Sequence, residues 1–122
     1  MWLENTVPRL LQYQIHLKLY HWQTFSEPRH RASEALLEKL QDFTDNVVEF
    51  CQGRHRHRLE LTGNERIKLK NLVEGRVDKG EEMLLALLEE IETMECEDDA
   101  IENKRQEFLG EIEKTLYLFS FE

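Results

Sequence analysis

No proline follows Pro28 in this 122-residue chain. Proline inside a helix removes a backbone donor and clashes with the preceding turn, at a cost of about 3 kcal/mol. A proline-free stretch from residue 29 to the end therefore leaves long helices available. The two prolines present sit where helices tolerate them. Pro8 falls in the first turns of a helical segment predicted over 3–25. Ser26-Glu27-Pro28 has the form of a helix start: a capping serine, an acid, then a proline near the first helical position. The length suits one domain over 1–122 with one core. The fold class expected is all-α, a bundle of four helices.

Apolar spacing marks the four helices. In the first, Val7, Leu10, Leu17 and His21 share one stripe, and Leu11, Ile15 and Trp22 form a second on another side. A surface helix needs only one such stripe, so the second predicts burial by a neighbouring subunit. The second helix runs from Ser26 to about Cys51, with Leu36, Leu37, Leu40, Phe43, Thr44, Val47 and Val48 as its core stripe and Gly53 as its stop. Residues 54–70 read as irregular. Leu59/Leu61 and Ile67/Leu69, alternating about Thr62-Gly63-Asn64, fit a short hairpin or an extended connector. A connector this long suits a third helix lying parallel to the second. That third helix is predicted over 71–94, weakened by Gly75 and Gly80, with Leu84, Leu87, Leu88 and Ile91 as its stripe. Glu97-Asp98-Asp99 is an acidic start for the fourth, which runs to Phe119.

Charge and composition limit the functions. The net charge of −9 disfavours non-specific DNA binding. No apolar run approaches the ~18–20 residues that span a bilayer. Asn5, Pro8 and Arg9 interrupt any export signal, so the expected location is cytoplasmic. Cys51 and Cys96 fit a reducing compartment and form no CxxC pair; Cys51 is expected to pack, and Cys96 to lie in a turn. The basic cluster Arg54-His55-Arg56-His57-Arg58 reads as a solvated loop, or as a contact for phosphate, DNA or an acidic neighbour. His16 lies on a different side of its helix from His21 and is expected at the surface or an interface.

The most informative residues lie on the second helix. At about 100° per residue, with His30 as origin, Glu34 falls near 40°, Asp45 near 60° and Glu49 near 100°. This arc lies beside the apolar stripe, which spans about 220° to 360°. Imidazole and hard oxygen donors suit iron, manganese or zinc. A solvated acidic face has the same pattern, since Glu38, Gln41 and Asp42 share the arc. All five histidines lie in the first half of the chain. A di-iron site inside one bundle takes an ExxH pair from each of two helices. Here only Glu27-Pro28-Arg29-His30 has that form on these helices, and the third and fourth contain no histidine. A metal site would therefore draw on the first two helices of two subunits across a two-fold interface.

His21-Trp22, followed on the second helix by His30, an acid four residues on (Glu34), another fifteen on (Asp45) and Glu49 nineteen on, resembles the pattern of the Dps-type mini-ferritins, proteins that protect DNA during starvation. Glu113-Lys114-Thr115-Leu116-Tyr117 is similar to the family's last helix. The resemblance covers most of the chain and is weakest over 54–80. It implies a ferritin-like four-helix bundle with a long connector between the second and third helices. It also implies an iron(II)-oxidising site in which His21, His30 and Glu34 of one subunit face Asp45 and Glu49 of another, with Trp22 beside it. In that family peroxide or oxygen is the oxidant, and ferric iron is stored in a hollow shell of twelve subunits; the resemblance implies storage or detoxification of iron here.

There are departures. The family separates its two histidines by twelve residues, and here the gap is nine. The family's glycine in that loop is missing, and Glu34 stands where the family has Asp. The shortened gap makes His21 the ligand that the resemblance supports least. No basic N-terminal tail of the kind many family members use to bind DNA is seen, and with the net charge of −9 this argues against strong DNA binding; a short, tail-less form looks like the versions carried by bacteriophages. The competing reading is a helical structural or interaction protein that keeps the bundle and has lost the metal chemistry.

Overall fold

A computed structural model describes residues 2–96 and 98–121. Its elements in order are α1 (Trp2–Gln23), α2 (Glu27–His55), β1 (Val73–Glu74), β2 (Val77–Asp78), α3 (Gly80–Glu92) and α4 (Asp99–Phe119). The four helices surround one core in which Leu10, Leu17, Tyr20, Leu40, Val47, Leu84, Leu87, Ile91 and Ile112 are essentially inaccessible. Each such aliphatic side chain stabilises the fold by roughly 1.5–3 kcal/mol through burial. Among the described residues, no helix is long and apolar enough to cross a membrane.

Side-chain contacts give the directions. Gln14 meets Thr44 while His21 meets His30, so α1 and α2 are antiparallel. Arg9 meets Glu90 and Tyr13 meets Ala86, so α1 and α3 are also antiparallel. Arg29 reaches Phe119, Phe43 stacks on Phe108, and Arg54 pairs with Asp98, so α2 and α4 are antiparallel too. Hence α2 and α3 run the same way, as the long connector predicts.

The connector must return the chain from the end of α2 to its starting end, and α1 holds it in place. Near the beginning of α1, the Glu60 amide donates to Glu4 Oε2 at 3.0 Å. That bond is the main cause holding the Glu4 carboxyl below its usual pKa. His16 Nε2 donates to the Lys68 carbonyl at 2.9 Å. Gln23 Oε1, at the end of α1, accepts from the Leu72 and Val73 amides at 2.7 and 3.2 Å. His16 is accordingly buried under the connector rather than lying at the surface.

Several boundaries differ from those the sequence predicts. α2 passes through Gly53 and ends at His55, where Arg56 takes the left-handed conformation at φ 51°. A Cβ at Gly53 would meet nothing within 4 Å, so neither space nor a positive φ calls for glycine there. The alternating stretch 59–70 forms no strand. The hairpin lies later, pairing Val73 with Asp78 and Glu74 with Val77 around Gly75 at φ +59°. Residues 71–79 are thus a connector and hairpin, and α3 begins only at Gly80. The reason is tertiary: Asp78 accepts from Tyr20 Oη at 3.0 Å and from the Gly80 amide at 2.8 Å, and pairs with Arg29 at 3.4 Å. The fourth helix starts as expected, with Asp98 as its cap; Glu97 lies outside the described residues.

Candidate metal centre

The turn between α1 and α2 is three residues long, Thr24 to Ser26. Ser26 Oγ accepts from the Arg29 amide at 3.2 Å and caps α2. So short a turn leaves the last turn of α1 directly against the first turn of α2, and it brings His21 onto His30. Their rings stack with centroids 3.8 Å apart and planes 18° from parallel. His21 Nδ1 lies 2.8 Å from the His30 carbonyl, and His30 Nδ1 lies 2.8 Å from the His21 carbonyl.

A carbonyl oxygen only accepts, so both Nδ1 atoms carry the proton. In the neutral rings both Nε2 atoms are then left with a lone pair. An imidazole that donates through one nitrogen to a backbone carbonyl is the arrangement that orients a metal-ligating histidine and raises its basicity. His21 is buried and His30 half-buried, so the rotamers are held by packing as well as by hydrogen bonds.

Glu34 lies one turn further along α2 than His30, about 6 Å along the axis, and is exposed. Asp45 and Glu49 are also exposed, but they lie about 22 and 28 Å further along the helix than His30. One copy of the chain therefore brings together His21 and His30, with Glu34 adjacent, and leaves Asp45 and Glu49 remote. Among the described residues, no group of three or more His, Cys, Asp or Glu side chains is placed to hold a metal ion.

Trp22 follows His21 but points outward, 66% exposed, with Lys18 Nζ 5.6 Å from its ring centroid. It continues a surface stripe with Leu11 and Ile15, which are 36% and 37% exposed. This stripe and the polar arc of α2 flank the Gln14–Thr44 contact and form one outer face of the α1–α2 pair. In the single chain the first stripe of α1 is buried and the second is the more exposed one.

The basic cluster is not a loop throughout. Arg54 and His55 belong to α2, and Arg54 is held by Asp98 at 2.6 Å and lies over the Phe50 ring. Comparison of the chain with known protein families, with curated proteins and with solved structures finds no match.

Sequence reasoning missed the Tyr20–Arg29–Asp78 cluster behind the histidines. Arg29 Nη2 donates to the Phe119 carbonyl at 3.0 Å, and its guanidinium lies 4.8 Å from the Phe119 ring. The cluster joins α1, α2, the hairpin and α4 immediately beside His30. An arginine next to a histidine at a helix start carries no periodic signal that would single it out.

Proposed function

We propose that this chain is a subunit of a mini-ferritin-type protein that binds iron(II) and oxidises it with peroxide or oxygen at a site shared by two copies. The observation that carries the reading is the reciprocal pairing of His21 and His30, which commits both Nδ1 protons to backbone carbonyls and leaves each Nε2 with a lone pair. Glu34 of the same copy, with Asp45 and Glu49 of a second, would complete a mixed nitrogen and oxygen donor set of the kind that takes iron, zinc or manganese. Imidazole and carboxylate favour the ferric product increasingly as carboxylates are added, since hard oxygen donors suit the higher charge. The single long crossover joining two parallel helices supports a ferritin-like fold. The exposed Leu11, Ile15 and Trp22 stripe beside the acidic arc supports a two-fold interface on that face.

The test is aerobic addition of iron(II) to the purified protein while ferric absorbance is followed. The parent should oxidise iron faster than buffer alone. His30→Ala and Asp45→Ala should each slow the reaction by at least about tenfold, the scale on which loss of metal-site groups acts. Coproducing the two variants should restore part of the activity, because a mixed pair retains one intact site. If the double variant His30→Ala/Asp45→Ala works as fast as the parent, the site assignment is wrong. Storage in a twelve-subunit shell requires a solution mass near twelve chains; a dimer would leave oxidation without storage.

A second reading is a structural or interaction bundle without metal chemistry. The same reciprocal bonds favour it in one respect: they fasten α1 to α2 without any metal. It predicts that the parent oxidises iron no faster than buffer, while His21→Ala still lowers stability.

A further inference from the structure

At the opposite end of the molecule from the histidine pair, a cavity of about 190 Å³ is lined by Trp2, Cys51, His55, Cys96, Asp98 and Ile101. Both cysteines of the chain border it, and both are free thiols. Arg54, three residues after Cys51, pairs at 2.6 Å with Asp98, two residues after Cys96. This ion pair joins the last turn of α2 to the start of α4 beside the cavity that both thiols border. We propose that Cys51 and Cys96 are a redox-sensitive pair, which peroxide closes into a disulfide that locks the end of α2 to the α3–α4 turn.

The surroundings suit this role. Cys51 is buried near the end of a helix, whereas Cys96 is half-buried in a segment without regular structure. A disulfide needs Cα atoms roughly 4.4–6.8 Å apart, and Cys96 lies outside any helix. Burial pushes both thiols above their ordinary pKa; Asp98 adds to this at Cys51, and Arg105 opposes it at Cys96. Thiols held neutral in this way react slowly with peroxide, which suits a response to sustained oxidation rather than turnover.

Cys96 is the more accessible sulfur. Its thiolate attacks one peroxide oxygen, the O–O bond breaks, and the departing hydroxide takes up the proton that the thiol released, leaving as water. The sulfenic acid formed is then attacked by the Cys51 sulfur. The S–S bond forms, the S–O bond breaks, and the second water leaves with the Cys51 proton, for which His55 is the imidazole at the cavity wall. Two thiols lose two electrons and two protons in all, and one peroxide becomes two waters.

The test uses the full chain, metal-free and pre-reduced, so that its outcome is independent of the iron reading. After exposure to hydrogen peroxide the protein is alkylated under denaturing conditions and weighed intact. Both thiols should be protected in a species of single-chain mass, dithiothreitol should restore two alkylation sites, and the oxidised form should melt higher by about 5 °C. In Cys96→Ser, which alters a half-buried turn and leaves the core intact, Cys51 should remain alkylatable after the same exposure. The proposal is overturned if the parent keeps two alkylatable thiols, if cross-links form only between chains, if Cys96 proceeds only to sulfinic acid, or if the closed form melts no higher.

Discussion

His21 and His30 show how a short turn decides what two side chains can do. Each Nδ1 donor is committed to the other residue's carbonyl, so the pair fastens α1 to α2 and, on the reading proposed above, also presents two oriented ligands. These roles separate by mutation. His21→Ala should destabilise the fold by about 1–3 kcal/mol, because it removes a buried ring and one of the donors to the His30 carbonyl, which keeps Ser33 Oγ. Glu34→Ala, at an exposed position, should change stability by no more than about 0.5 kcal/mol yet slow iron oxidation. Denaturant titration and the ferric absorbance assay together check the contrast. Gly80 is the other residue where one group matters. A Cβ there would lie 2.5 Å from Cζ of Tyr20, a fully buried ring stacked on Phe119. Gly80→Ala should cost about 1–3 kcal/mol by overpacking, read as a lower urea midpoint.

Among the elements, α2 and the α3–α4 turn were legible to different degrees. The core stripe of α2 was readable because burial follows the helical period: Leu36, Leu37, Leu40, Phe43, Thr44 and Val47 are all buried. Its end was not readable, because Gly53 faces open space and the stop comes from Arg56. Gly53→Ala and Gly110→Ala, both in helix interiors with nothing within 4 Å, should therefore each stabilise the protein by about 0.5–1 kcal/mol, as thermal melts would show. At the end of α3, Arg105 donates to the Ile91 carbonyl at 3.1 Å and is gripped by both oxygens of Glu102. Hydrogen bonding from Arg105 lowers the Glu102 pKa from 4.5 to about 2. A carboxyl depressed in the folded state stabilises it above the unfolded pKa, and the contribution is lost as pH falls through the folded one. Glu102→Gln should thus lower the melting temperature at pH 7, and the gap should close between about pH 4.5 and pH 2.

For the whole molecule, the consequential surface is the outer face of the α1–α2 pair. Leu11 and Ile15 contribute little to the core of one chain. Leu11→Asp combined with Ile15→Asp should leave the helical content and melting cooperativity of the chain intact while reducing its solution mass to that of a monomer. Iron oxidation should fall with it, because Asp45 and Glu49 are then removed from the histidines of any second copy. Light scattering alongside circular dichroism checks both parts. An unfolded double variant would show instead that the stripe is needed within one chain.

The amino-acid sequence by itself determined the four helices, the α2 core stripe, the capped start at Ser26 and the parallel relation of α2 and α3 implied by a long connector. Each of these follows from local chemistry or from periodicity, which operate within a few residues. Only the tertiary structure decided where α3 begins, that His16 is buried, where the hairpin lies, and that His21 stacks on His30 across a three-residue turn. These depend on contacts between residues distant in the chain, such as Asp78 with Tyr20 and Arg29, for which spacing along one segment carries no signal. The nine-residue spacing of His21 and His30 belongs to both: the sequence displays it, and the fold turns it into a close-packed pair.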